Sequence, residues 1–232
     1  MAIAVIPARA GSRRVPQKNI ADICGRPMIA WTISNALASH AFDAVVVSTD
    51  CSRIAEIAES AGAHVPGLRA PDLSDDHTPL DAVMRDFAKA ADPRHDWICM
   101  IYATALLLEP ATLARAAQLA AQAAQDDDFV LSLLPYPHPP QRAVALEDGI
   151  VRMITPEHAR TRTQDLPRRL HDAAQFVFGR RRAWLDGQTV WNSRTRGIAL
   201  SPAEAIDIDV PADLEIARAL MARRIASREP AT

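Results

Sequence analysis

No stretch of this chain approaches the ~20 consecutive apolar residues that a membrane-spanning helix needs, although 49% of its 232 residues are hydrophobic. Charge of either sign is not in excess. With a formal net charge of −2, anions can be held only by local clusters, which excludes a dedicated DNA- or RNA-binding protein. Cysteine is scarce: Cys24, Cys51 and Cys99 are odd in number and widely spaced. They form neither a zinc pattern nor a disulfide framework, and they suit reduced thiols in a cytoplasmic protein. No basic region precedes the short apolar run at the N-terminus, so a secretory leader is not expected. Two glycine patterns are missing as well. There is no P-loop ending in Lys-Ser/Thr, and no G-x-G-x-x-G turn of the kind an NAD-dependent oxidoreductase would carry.

What is present begins at once. Ile3, Ala4, Val5 and Ile6 form a short apolar run that reads as a buried parallel strand. It stops at Pro7 and gives way to Ala8-Arg9-Ala10-Gly11-Ser12-Arg13-Arg14-Val15-Pro16-Gln17-Lys18-Asn19. Three arginines, a lysine, a glycine and small residues at the end of a sheet strand offer fixed positive charge and closely approachable backbone N–H groups. A polyphosphate needs both. Charge alone would favour a plain basic surface loop.

Strand and helix patterns then alternate. Helices are predicted over 27–37, 54–61 (stopped by Gly62), 80–91 and 110–124, and strands over 44–48, 97–102 and 129–133. The order predicts a Rossmann-like, mostly parallel sheet with helices on both faces. From Pro135 the rhythm changes. A proline-rich bend leads to two short strands around Glu147-Asp148-Gly149, an Asp-Gly hairpin signal. Strand character returns at 173–178, a last strand is predicted at 205–209, and an amphipathic helix at 211–225. A single domain over 1–232 is expected, with a β-rich insertion at about 135–172.

Near the C-terminus, Ile206-Asp207-Ile208-Asp209 alternates apolar and acidic residues. In extended backbone, residues two apart share a face, so Asp207 and Asp209 would stand together while the isoleucines pack inward. Two hard carboxylates so placed can hold Mg²⁺. The alternative is that Asp209 only begins the cap of the following helix, and Asp213 reads as serving that helix's first turn.

The ordered run of strand, Pro-Ala-Arg, Gly-Ser, two further basics and Pro-x-Lys-Asn closely resembles the nucleotide-binding signature of the sugar-acid (acylneuraminate) cytidylyltransferases. These enzymes have a nucleotide-diphospho-sugar transferase-like fold and join a nine-carbon acidic sugar to CMP. The resemblance implies catalytic roles for Arg9, Lys18, Asp207 and Asp209, with Mg²⁺ on the two aspartates. It implies that Ala8, Arg9, Gly11, Ser12, Arg13, Lys18 and Asn19 bind nucleotide. Arg13 stands where most relatives carry Lys, and Arg14 reads equally as a solvated residue. The segment 68–78 resembles the stretch that closes over cytosine, which implicates Arg69 and Thr78. Tyr102 lies where relatives carry a proline-bearing turn whose prolines are absent here at 103–106. In the insertion, Pro140-Gln141-Arg142-Ala143, Thr161-Arg162-Thr163-Gln164-Asp165-Leu166 and His171-Asp172-Ala173-Ala174-Gln175-Phe176 look like the pseudaminic acid branch of the family. That likeness places Tyr102, Arg142, Arg162, His171, Asp172 and Gln175 on the sugar.

The implied reaction is in-line attack of the sugar's anomeric hydroxyl on the α-phosphorus of CTP. Arg9 and Lys18 stabilise the charge that develops on phosphate oxygens, and no general base is identified. Sialic or legionaminic acid remains an alternative substrate. A catalytically weak nucleotide-binding homologue is the alternative of another class. The resemblance also leaves open a homodimer formed through the insertion.

Overall fold

The computed structural model describes residues 1–75 and 78–228. Its sheet starts with β1 (Ala2–Pro7), whose four central residues are buried, as a strand covered on both faces must be. A two-residue ribbon, β2 (Asp22–Ile23) with β3 (Arg26–Pro27), leads into α1 (Met28–Ala38). Pro27 caps that helix from just outside, at φ −56° and ψ 138°. β4 (Val45–Ser48) is followed by α2 (Ser52–Ser60), which buries Ile54 and Ala58, four residues apart. The chain turns away at Gly62 with φ +95°, a conformation that favours glycine. There follow α3 (Leu80–Ala90), β5 (Trp97–Ile101), α4 (Pro110–Ala121) and β6 (Phe129–Pro135).

β7 (Val144–Glu147) and β8 (Ile150–Met153) form a separate antiparallel hairpin. Asp148 and Gly149 between them both have positive φ, 50° and 78°, which is the turn their sequence signals. β9 (Leu170–Arg180), α5 (Arg181–Leu185), β10 (Thr195–Ala199) and α6 (Pro211–Arg228) complete the chain.

The main sheet runs β10-β6-β9-β5-β1-β4. All its neighbouring pairs are parallel except the two made by β9. It is therefore mostly parallel, as expected, with one reversed strand inside. α1, α2 and α4 pack on one face and α3 with α5 on the other. A third, smaller core joins Val15, Ile23, Met28, Leu106 and Ile208 to Leu214, Ala217 and Met221 of α6.

One predicted element is corrected. Among the described residues, 205–209 pair with no strand, and the last strand is β10, which the sequence reading did not place. The in-and-out pattern of Asp207, Ile208 and Asp209 nevertheless survives without a ladder. Ile208 is buried while Asp207 and Asp209 reach outward.

β9 carries the main irregularity. Its pairing with β6 shifts register between Leu131 and Leu133, and Ala174 has φ 49°. The buried Ser132 hydroxyl fills the break by accepting the Phe176 N–H at 3.1 Å and donating to the Phe176 carbonyl at 2.9 Å.

Candidate active site

The loop after β1 is tied down before any ligand arrives. Ala8 extends the β1–β4 pairing, its N–H bonded to the Ser48 carbonyl at 2.9 Å, and it is buried outside the cavity described below. The Ala10 N–H donates to Asp50 Oδ1 at 2.9 Å, and Asn19 Nδ2 donates to the Arg9 carbonyl at 3.0 Å. Val15 anchors the far limb in the third core. Gln17, at φ 53°, turns the chain into a short 3₁₀ turn over Lys18–Ile20.

This pinned loop forms one wall of an open cavity of about 550 Å³. Arg9, Gly11, Ser12, Arg13, Arg14, Lys18 and Asn19 line that wall. Arg69, Thr78, Tyr102, Thr104 and Asp209 line the cavity as well. Apart from Ala8, every residue assigned from sequence to the nucleotide thus meets in one place. Asp76 and His77, part of the same 68–78 motif, lie outside the described residues.

The cations are oriented by backbone oxygens and carboxylates. Arg9 Nη1 donates to the Asp75 carbonyl at 2.9 Å, and Lys18 Nζ donates to the Ile208 carbonyl and lies 3.9 Å from Asp209 Oδ1. Arg14 makes a two-pronged pair with Asp209, Nη1 to Oδ2 at 3.0 Å and Nη2 to Oδ1 at 2.8 Å. Burial lowers the Arg69 pKa, with neighbouring Asp50 opposing and Arg9 adding to that shift. Arg69 Nε reaches Ser74 Oγ at 3.2 Å. Thr78 closes on Asp75, its hydroxyl donating to Asp75 Oδ1 at 2.7 Å and its N–H to the same oxygen at 2.6 Å.

At the acidic edge, loss of hydration and then repulsion from Asp209 raise the Asp207 pKa above the usual carboxylate range. Asp213 Oδ2 accepts the N–H groups of Asp209 and Val210 at 2.8 and 2.9 Å, which draws its own pKa down. It thereby caps α6 and fixes the backbone at Asp209. Two outward carboxylates two residues apart, Asp209 on the cavity wall and Asp207 just before it in sequence, are a hard-oxygen donor pair suited to a divalent cation. Among the described residues no group of three or more His, Cys, Asp or Glu could hold a metal. Further ligands would have to be water and phosphate oxygens.

The residues expected on the sugar divide. Tyr102 lines the cavity, and its hydroxyl is pushed up to about 12 by burial, then by Asp172 and Asp207. Asp172 Oδ1 accepts the Ala174 N–H at 2.8 Å and so shapes the β9 irregularity. Gln175 is buried. Its Nε2 donates to the carbonyls of Ala173, Ala174 and Ile206, so it links β9 to the strand-like segment that carries Asp207. His171 packs against Tyr136 with the two rings tilted by 53° and their centroids 4.8 Å apart. Arg142 and Arg162 are exposed in the insertion, Arg142 bonded to the Thr161 carbonyl and Arg162 to Asp165 Oδ2 at 2.7 Å. Neither lines the cavity.

Sequence reasoning passed over Asp50, which anchors the loop, and Asp75, which holds Arg9 and Thr78. It left Arg14 undecided. Asp50 had one readable signal, its place directly after a strand that must neighbour β1. Arg9, which Asp75 holds, lies 66 residues from it, and Asp209, the partner of Arg14, lies 195 residues away.

Comparison with known proteins places the chain in a family. The chain matches the family described as Cytidylyltransferase over residues 3–226. It is 37% identical to a pseudaminic acid cytidylyltransferase of Campylobacter jejuni, over 94% of this chain and 95% of the relative. It is 30% identical, with the same coverage, to a CMP-N,N'-diacetyllegionaminic acid synthase of Legionella pneumophila. Its fold is similar to that of a CMP:2-keto-3-deoxy-manno-octonic acid synthetase solved in complex with CTP. That match has a TM-score of 0.73 at 21% identity, covering 96% of this chain and 99% of the other. Among the described residues no helix is long and apolar enough to cross a membrane.

Proposed function

The chain belongs to the cytidylyltransferase family, and from that premise we propose that it joins pseudaminic acid to CMP, consuming CTP and releasing diphosphate. The observation that carries this reading is the convergence of Arg9, Arg13, Lys18 and Asp209 on one cavity. It is joined by 37% identity along nearly the whole chain to an enzyme named for that sugar.

In this reading the triphosphate lies along the loop after β1. Gly11 and Ser12 allow the backbone to approach it, and Arg9, Arg13 and Lys18 neutralise the oxygens that gain charge as diphosphate leaves. Asn19 holds the loop at the ribose side. Arg69 and Thr78 face the cytosine, with Thr78 exchanging its bond to Asp75 for one to the base. Asp207 and Asp209 would hold Mg²⁺, and Asp213 keeps the Asp209 backbone in place. When bound, that cation would supply positive charge toward the phosphates and lower the pKa of the attacking hydroxyl. Tyr102, protonated at any working pH, offers a hydroxyl to the sugar. Asp172 lies near it, His171 follows from the neighbouring position on β9, and Gln175 acts from behind by holding the Ile206 carbonyl.

The insertion at 135–172 is assigned to the rest of the sugar and to a second copy of the chain. Val144, Leu146 and Val151 share one face of the β7–β8 hairpin and are 52%, 70% and 63% exposed. An apolar face of this kind is suited to a protein contact, and Arg142 and Arg162 beside it suit a sugar carboxylate. A reduced, cytoplasmic setting agrees with the free cysteines.

The test is diphosphate release with CTP and Mg²⁺ against pseudaminic, N-acetylneuraminic and N,N'-diacetyllegionaminic acids in parallel. Release with pseudaminic acid alone is expected. Preference for another of the three would keep the reaction and overturn the sugar. No release with any of them, from protein that still binds CTP, would favour a non-catalytic homologue.

A further inference from the structure

Asp209 does not face the cavity as a bare carboxylate. The Arg14 guanidinium closes on both of its oxygens, at 3.0 and 2.8 Å, and both residues line the cavity wall. A planar fork that takes both oxygens occupies the positions a hard cation needs and sets a positive charge beside them. The pair is also open to water, with the Arg14 side chain 67% exposed and that of Asp209 42% exposed. Ion pairs this exposed are weak and exchange readily.

We infer that Arg14 is the counter-ion of Asp209 in the nucleotide-free protein, and that CTP draws it away and so opens Asp209 to the divalent cation. The triphosphate offers the same guanidinium several charged oxygens in the same cavity, a stronger partner than one exposed carboxylate. Arg14 is then a positioning residue that couples the two binding events. It weakens metal binding in the absence of nucleotide, and it changes sides when nucleotide enters. By linkage, whatever CTP does for the cation the cation does for CTP. The inference rests on the reading of the cavity as the CTP site and of Asp207 and Asp209 as the metal carboxylates.

The experiment is a Mn²⁺ titration of the full chain followed by electron paramagnetic resonance, with and without CTP and without any sugar, so that nothing turns over. Arg14→Ala should bind Mn²⁺ about fivefold more tightly than wild type in the absence of CTP, the scale of an exposed ion pair. The gain in Mn²⁺ affinity on adding CTP should shrink by the same factor. Arg14→Lys, which keeps the charge without the fork, should fall between. Arg14 is on an exposed loop, and circular dichroism should show all variants folded. Asp209→Ala separates the two ways of failing. If it weakens Mn²⁺ binding while Arg14→Ala leaves nucleotide-free binding unchanged or weaker, the coupling role of Arg14 is overturned and the metal assignment stands. If Asp209→Ala binds Mn²⁺ as well as wild type does, with CTP present, the metal assignment falls and the inference with it.

Discussion

Asp207 carries a charge that the fold disfavours, and that conflict can be measured. Loss of hydration raises its pKa first, repulsion from Asp209 second, and Asp213 adds to both, while Lys18 and Arg14 only partly offset them. The folded pKa therefore lies above the unfolded value of about 3.9. With that sign, the native state holds the proton more tightly. The stability contributed by the protonated group is complete at acid pH and is lost as pH rises through the folded pKa. At neutral pH the ionised Asp207 is a net cost. Asp207→Asn keeps the shape and removes the charge, so it should stabilise the metal-free protein while disabling it.

Asp207 is exposed as a residue, so screening keeps the gain near 0.5 kcal/mol, the scale of exposed like-charge pairs. In a chain of this length that is about 1–2 °C in Tm. Thermal unfolding without divalent ions at pH 7 should put the variant above wild type. The gap should close at acid pH, where wild type takes up its own proton. Saturating Mg²⁺ with CTP should reverse the order, because ligands that bind only the native state stabilise it and the variant has lost one ligand. Diphosphate release should fall at least about a hundredfold, the upper end of what even indirect supports of a metal contribute. A variant less stable than wild type without metal at pH 7, or one retaining a tenth of wild-type turnover, would refute the reasoning.

Three further outcomes follow from named contacts. Lys18→Met removes the donor to the Ile208 carbonyl and the charge beside Asp209. Its kcat/KM for CTP should fall by about 10²–10³, and a normal kcat at saturating CTP would take Lys18 out of the transition state. Asp213→Ala leaves the Asp209 and Val210 N–H groups without their acceptor. It should cost about 1 kcal/mol, read as a fall of about 2–4 °C in Tm, and raise the Mg²⁺ concentration needed for half-maximal rate. Gly179→Ala would set a methyl group 2.4 Å from Trp184 Nε1 and 2.7 Å from Phe129 Cε1. A loss of about 1–3 kcal/mol is expected, and an unchanged urea midpoint would mean that this aromatic pair yields more than its packing suggests.

What could be read along the chain was what is local. The apolar run of β1, its stop at Pro7 and the cations beyond it are contiguous, and so is the Asp-Gly turn between β7 and β8. β10 escaped because Thr195, Arg196 and Gly197 at a partly exposed sheet edge carry neither an apolar run nor a clean alternation. The reversal of β9 was invisible for a related reason. A strand buried on both faces has the same composition whichever way it runs, and only its pairing with β5 and β6 fixes its direction. At 205–209 the alternation correctly gave the faces of Asp207 and Asp209. It could not say whether a neighbouring strand was there to complete a ladder, and among the described residues none is.

The site itself shows why the rest was hidden. The cations of its loop come from the first nineteen residues and its acidic edge from residues 207–213. The Arg14–Asp209 pair that joins them spans 195 positions. No periodicity carries information over that distance. The third core does. Val15 from the loop and Ile208 from between the two aspartates are both buried in it, against Met28 of α1 and Leu214 of α6. The isoleucine between the aspartates therefore ties the acidic edge to the loop through one shared core. Charges this exposed attract each other too weakly to assemble the cavity unaided. Apolar packing brings the two chain ends together, and the polar chemistry depends on that packing for its geometry.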